Sequence, residues 1–167
     1  MVLIIDTTEE KLGKRVVTEL KDNKDISYEY IDALSLDILN CQGCNCCWLK
    51  TPGQCVINDE FEPVLKKITK ARQVWMVTDT KFGFISYKTK NIIDRLIPII
   101  TVNLHFVGKQ VKHVVRYDNK PDFGIIYLGQ GDKDYLSYWC EKCAININGK
   151  SLGVYEIEKY KEAVLCM

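Results

Sequence analysis

Residues 74–96 decide how this chain is built: Val74-Trp75-Met76-Val77, then Thr78-Asp79-Thr80-Lys81-Phe82-Gly83, then Ser86 and the run to Asn91-Ile92-Ile93-Asp94-Arg95-Leu96. Four consecutive apolar residues, 74–77, read as a strand buried on both faces, the signature of a parallel sheet covered by helices. Polar residues and Gly83 then form a loop. Ser86 is placed to cap a helix whose apolar face includes Ile92, Ile93, Leu96, Ile97 and Ile100. Strand, loop and helix in that order are one half of a parallel crossover unit.

The same alternation extends in both directions. Upstream, Val2-Leu3-Ile4-Ile5 is a second buried strand, and Leu12, Val16, Val17 and Leu20 follow at helical spacing, with Glu9 and Glu10 at the expected amino-terminal end. Ile26 to Ile31 reads as a more polar strand at a sheet edge. Phe61, Val64, Leu65 and Ile68 give another amphipathic helix, with Asp59 as candidate cap and Pro63 in the first turn. Downstream, Gly124-Ile125-Ile126-Tyr127-Leu128 is a strand ending in Gly129-Gln130-Gly131. A helix carrying Leu136, Trp139, Cys140, Cys143 and Ile147 and a last strand over 152–157 complete the chain. Residues 105–122 are ambiguous, with Val111 to Tyr117 read as an excursion at the sheet edge. The expected architecture is α/β: a three-layer αβα sandwich with a five-stranded parallel sheet, in a single domain over 1–167. Ligands of such sheets sit beyond the carboxyl ends of the strands, so the loops 6–13, 78–86 and 129–135 are the candidate site.

Composition narrows the function. The 167 residues are 47% hydrophobic and 27% charged with a net charge of +1, which gives no reason to expect a nucleic-acid or membrane partner. The apolar start, 2–5, is too short for a signal or spanning helix, and the stretch 92–107 is interrupted by Asp94, Arg95 and His105. No Gly-x-Ser-x-Gly elbow, Gly-x-Gly-x-x-Gly fingerprint or Walker loop occurs. Of eight cysteines, five fall between residues 41 and 55. Clustered cysteines without a basic leader point to reduced thiols or metal ligands, hence to a cytoplasmic protein. Cys41-x2-Cys44-x2-Cys47-x7-Cys55 has the clustering that a [4Fe–4S] centre needs. Zinc accepts four thiolates too, and a third reading is that these thiols simply line a loop. Cys46 is surplus to either metal. Cys140-x2-Cys143 lies on an apolar helical face and reads as core packing.

Two stretches resemble a known family. Cys41-Gln42-Gly43-Cys44-Asn45-Cys46-Cys47-Trp48 with Thr51-Pro52-Gly53-Gln54-Cys55 is similar to the cysteine loop of the flavodoxin-like, NAD(P)H-dependent FMN reductases and iron–sulfur flavoproteins. Thr78 to Gly83, with Ser86 and Lys90-Asn91-Ile92-Ile93-Asp94-Arg95-Leu96, resembles that family's flavin-contacting loop and following helix. The resemblance implies a flavodoxin-like fold and an FMN-dependent oxidoreductase that takes hydride from NAD(P)H as a transient reductant. Electrons would pass to a small-molecule or protein acceptor, or to a [4Fe–4S] cluster on Cys41, Cys44, Cys47 and Cys55. It implies a homodimer as well. Carried over by position, Thr78, Asp79, Thr80, Lys81, Phe82 and Gly83 border the isoalloxazine ring, and Gly129, Gln130 and Gly131 flank its other edge. Thr7 and Thr8, with Lys11, are left to serve the phosphate, and Asp94 and Arg95 to brace the helix rather than touch flavin. Two departures stand out: Asp79 where the family usually has Pro, and an acidic first loop, Asp6-Thr7-Thr8-Glu9-Glu10, where it has Ser, Gly, Asn and Thr. The alternative reading is a non-catalytic flavodoxin-fold subunit with a degenerate phosphate site, acting as an interaction or electron-transfer partner.

Overall fold

A computed structural model describes residues 1–23 and 26–167. In chain order the elements are β1 (Val2–Asp6), α1 (Gly13–Asn23), β2 (Tyr28–Asp32), α2 (Cys46–Leu49), α3 (Phe61–Ile68), β3 (Gln73–Lys81), β4 (Phe84–Ile85) and α4 (Tyr87–Asp94). There follow β5 (Ile100–Val107), β6 (Gln110–Val115), β7 (Asp122–Leu128), α5 (Lys133–Asn146), β8 (Ser151–Glu156) and α6 (Tyr160–Leu165). Five strands pair in parallel in the order β2-β1-β3-β7-β8. The order reverses beside β1, which places the crevice for a ligand at the carboxyl ends of β1 and β3. The short β4 adds an antiparallel partner to the far end of β3, beyond the five expected strands.

The buried runs lie where two-sided burial demands them. All five residues of β1 are buried, as are residues 73–78 of β3 and 123–127 of β7. Helices α1 and α6 cover one face with Leu12, Val16, Leu20, Ala163 and Val164. Helices α3, α4 and α5 cover the other with Phe61, Val64, Ile92, Leu136 and Cys140. β2 is only partly buried, in keeping with its polar sequence and edge position. No described helix is long and apolar enough to cross a membrane.

Four local expectations need correction. Helix α4 stops at Asp94, so Ile97 and Ile100 are not on it: Ile97–Ile99 form a 3₁₀ turn and Ile100 opens β5. Pro98 explains the stop, because it lacks the N–H a continuing helix would need. The edge excursion is a full antiparallel hairpin, β5–β6, which starts earlier than expected and pairs with no strand of the main sheet. Helix α1 begins at Gly13, which leaves Glu9 and Glu10 exposed in the turn before it. Asp59 stands one residue ahead of the α3 cap, where its Oδ1 accepts the Phe61 N–H at 3.1 Å.

One glycine is fixed by packing across the sheet. A Cβ on Gly124 of β7 would lie 2.5 Å from the ring of Trp75, which is fully buried. Gly124→Ala is expected to lower stability by about 1–3 kcal/mol, because the indole cannot retreat in a close-packed core. Urea denaturation reads this directly, and an unchanged midpoint would contradict the packing.

Candidate functional site

The three candidate loops meet at the carboxyl edge of the sheet through side-chain hydroxyls. Thr7 Oγ1 lies 3.1 Å from the Val77 carbonyl and 2.6 Å from Thr89 Oγ1. Thr89 Oγ1 donates to Thr78 Oγ1 at 2.7 Å, and Ser86 Oγ sits 3.2 Å from both Thr78 and Thr89. Ser86 caps α4 as expected, accepting the Thr89 N–H. These four hydroxyls are buried, so Thr7 and Thr78 bind the loops to one another rather than facing an open site. Further out, Thr80 Oγ1 donates to the carbonyls of Leu128 and Gln130 at 3.1 and 3.0 Å, and the Asp132 N–H donates to the Gly83 carbonyl at 2.9 Å. The segments 78–83 and 129–131 are thus side by side. Phe82 and Gly83, both at positive φ, turn the tip between β3 and β4 and leave the Phe82 ring fully exposed. Lys81, Gly129 and Gln130 are exposed, and Asp79, Thr80, Gly83 and Gly131 are partly so.

The first loop has a different character. Asp6, at the end of β1, is buried and its carboxylate gathers the local donors. Oδ1 accepts the Thr8 N–H at 2.9 Å and the Thr8 hydroxyl at 2.6 Å; Oδ2 accepts the Gly13 N–H at 2.7 Å and the Tyr30 hydroxyl at 3.1 Å. The Leu12 N–H goes to Thr8 Oγ1 at 2.9 Å. Lys11 turns away to pair with Asp32 at 2.8 Å. The Thr8, Leu12 and Gly13 amides and the Thr8 hydroxyl at the head of α1 are already partnered, so these groups as built do not fit an FMN phosphate. Burial and the neighbouring Asp6 carboxylate push the Tyr30 phenol well up, which keeps it a donor.

The cysteine loop, residues 33–60, is fastened at several points. Arg95, 2% exposed, makes a buried ion pair with Asp59 through Nη1, which also donates to the Leu39 carbonyl at 2.9 Å. Asp59 Oδ2 accepts the Leu39 N–H at 2.9 Å. Asn91 Nδ2 donates to the Ile38 carbonyl at 3.1 Å. Trp48 Nε1 donates to the Ile97 carbonyl at 3.1 Å, and its ring rests on that of His113 with centroids 5.1 Å apart. A Cβ on Gly53 would strike Arg116 and Tyr117, so that turn packs against the base of the hairpin. Arg95 and Asp59 are thus braces, as expected of Arg95, while Asp94 pairs only with Lys90 one turn away.

Within this frame the thiols sense one another. Burial, then the thiolates of Cys55, Cys41 and Cys44, raises Cys47. The backbone N–H and thiol of Cys46 lower Cys44, and Cys46 is itself raised by Cys44. Among the described residues, Arg95 Nε and Nη2 are buried and have no hydrogen-bond partner. A buried cation with spare donors at the base of the cysteine loop suits the chemistry of an anionic thiolate-bound centre. Among the described residues, however, no three such ligands converge on one metal position. Cys41 and Cys44 are exposed on the turn, so ligation by all four requires the 41–47 turn to close over Cys55. Cys140 is buried in the core and burial pushes it up to about 11; Cys143, partly buried, is pushed up to about 12 by burial and Cys140. Both are packing thiols, as expected. A cavity of about 370 Å³ separates Cys41 from Cys143 and is lined by Ile93, Leu96, Ile97 and Ile147.

Comparisons with known proteins follow the same lines. No family model matches the chain. An iron–sulfur flavoprotein of Methanocaldococcus jannaschii is 32% identical over 74 residues, a stretch covering 44% of this chain and 37% of that protein. Over that stretch the chain is similar to an iron–sulfur flavoprotein, and it spans well under half of that protein's length. Among solved structures, RosB with a bound 8-demethyl-8-formylriboflavin-5'-phosphate intermediate superposes with a TM-score of 0.64 at 14% identity, over 93% of this chain and 63% of that one. The azoreductase AzrA gives 0.62 at 11% identity over 98% and 93%. An FMN-dependent NADH-azoreductase from Bacillus anthracis, in complex with FMN, gives 0.59 at 12% identity over 98% and 95%. At these identities the structures establish the flavodoxin-like fold.

The Asp59–Arg95 pair yields a pH signature. Burial works against the Asp59 carboxylate, but Arg95 and the Leu39 and Phe61 amides outweigh it and hold the carboxyl below its ordinary 3.8. A carboxyl depressed on folding contributes stability that is complete above that ordinary value and is lost as pH falls through its lowered one. Wild-type stability should therefore drop with acidification below about pH 4, and Asp59→Asn should flatten that limb. Thermal unfolding across this range checks it; parallel curves for the two proteins would rule the pair out as its source.

Proposed function

We propose that the chain is a redox protein of the iron–sulfur flavoprotein kind. It would carry a flavin at the carboxyl edge of the sheet and a [4Fe–4S] cluster on Cys41, Cys44, Cys47 and Cys55. The observation that carries the reading is the cysteine loop with Cys41, Cys44, Cys47 and Cys55, clamped to the core by the buried Arg95–Asp59 pair. Flavin supplies acceptance of two electrons from NAD(P)H, and a cluster supplies their delivery one at a time to a small-molecule or protein acceptor. The protein's part is positional. Segments 78–83 and 129–131 border the ring, with Gly83 allowing close backbone approach. Arg95 fastens the cysteine loop through Asp59 and the Leu39 carbonyl and brings a buried positive charge to its frame.

A second reading is favoured by the partnered donors of the first loop: a flavodoxin-fold subunit without flavin, serving as an electron-transfer or interaction partner. One preparation separates the two. Protein made without oxygen and reconstituted with iron and sulfide should bind about four of each per chain and absorb broadly near about 400 nm. Serine at 41, 44, 47 or 55 should abolish this, whereas Cys46→Ser should retain the iron. Flavin bands that stay with the protein support the first reading; cluster without flavin supports the second; neither overturns the proposal.

The same reading takes the working unit to be a homodimer. Cross-strand pairing puts Leu104, Phe106 and Val111 on one exposed face of the β5–β6 hairpin, next to the Trp48–His113 contact at its base. A two-stranded hairpin with an uncovered apolar face is marginal by itself in water, and a second copy would cover it. Light scattering after size exclusion should show a wild-type dimer and a monomeric Phe106→Asp variant. A monomeric wild type would sink this assignment.

A further inference from the structure

At the head of α1 the chain carries an anion of its own. The Asp6 carboxylate accepts four hydrogen bonds, from the Thr8 amide and hydroxyl, the Gly13 amide and the Tyr30 hydroxyl, and is 1% exposed. Helix amino termini attract anions because their first amides lack intrahelical partners and the helix dipole favours negative charge there. Here both causes are satisfied from within. Two features show that the fit is built rather than incidental. A Cβ on Gly13 would stand 2.9 Å from Asp6 Oδ2 and 3.0 Å from the Tyr30 ring, so only glycine lets the carboxylate come this close. Lys11, a cation that a phosphate would recruit, adopts a left-handed conformation and is committed to Asp32.

We infer that Asp6 occupies the anion position of the first loop, so that this protein grips flavins by the ring system and discriminates little between riboflavin and its phosphate. This deepens the flavin reading given above and rests on it for the ligand. The assignment of Asp6 itself is independent of that reading. A phosphate entering here would have to displace a carboxylate that keeps four donors, and two anions cannot share those donors without leaving one of them buried and unpaired. Glu9 and Glu10, the conspicuous acidic pair, are exposed and take no part in this contact.

Two measurements test it. In the first, inorganic phosphate is titrated into the wild-type protein while the amide resonances of Thr8 and Gly13 are followed by NMR. Flat resonances are expected; a saturable shift of both would overturn the assignment. Asp6→Ser removes the carboxylate, and its Thr8 and Gly13 amides should then respond to phosphate. If that variant does not fold, the wild-type titration decides alone. In the second, riboflavin and FMN are compared on the wild type at constant ionic strength by quenching of flavin fluorescence. Affinities within about twofold are expected, and an FMN preference of about tenfold or more would overturn the inference. If neither flavin binds, the flavin reading falls, and the phosphate titration still judges Asp6.

Discussion

The buried contact between Arg95 and Asp59 holds together two parts of the chain that sequence order keeps apart. Arg95 closes helix α4, beneath the sheet's ligand edge, and Asp59 ends the long cysteine-bearing segment just before α3. An ion pair so far from solvent is costly to break from one side, since the survivor is left as an unpaired buried charge. The loop's geometry therefore inherits the rigidity of the core beneath it. With Ile38, Leu39 and Trp48 tied to the same helix and the turn after it, the cysteines are displayed on a frame.

The two ends of the proposed redox path are built on opposite electrostatic plans. At the cysteine loop a cation has donors to spare, which suits a ligand that brings negative charge. At the first loop four donors, the Thr8 amide and hydroxyl, the Gly13 amide and the Tyr30 hydroxyl, are taken by a carboxylate already present. The hydroxyl chain Thr7–Thr89–Thr78–Ser86 lies between β1 and β3 and locks the sheet edge without adding charge.

Much of this fold is legible from local pattern. The runs at 2–5, 74–77 and 124–128 could hardly be anything but strands buried on both faces, and Ser86 marks the start of α4. Spacing singled out the four cysteines and left Cys46 surplus, but spacing carries no information about how far apart the sulfurs stand in the folded loop. What the pattern missed depends on contacts between distant positions. Asp6 reads as one more acidic residue until Gly13 and Tyr30 are brought to it. The hairpin after Pro98 was obscured because Ile97 and Ile100 continue the helical spacing of α4 by coincidence, although a proline between them forbids the helix. His113, Arg116 and Tyr117, at the end of the excursion, pack against Trp48, the Pro98 carbonyl and Gly53, contacts that no local pattern announces.

A strand-end carboxylate that completes its own helix has a consequence for how the protein lives without a ligand. In a binding protein whose anion site stands empty, the unliganded form is less stable than the loaded one by the free energy of binding, and its survival tracks ligand supply. Here the corresponding contacts are made during folding, by residues that are always present. The first crossover can reach its final form on an unloaded chain, so the protein's lifetime at this edge of the sheet is set by its sequence rather than by the concentration of a small molecule.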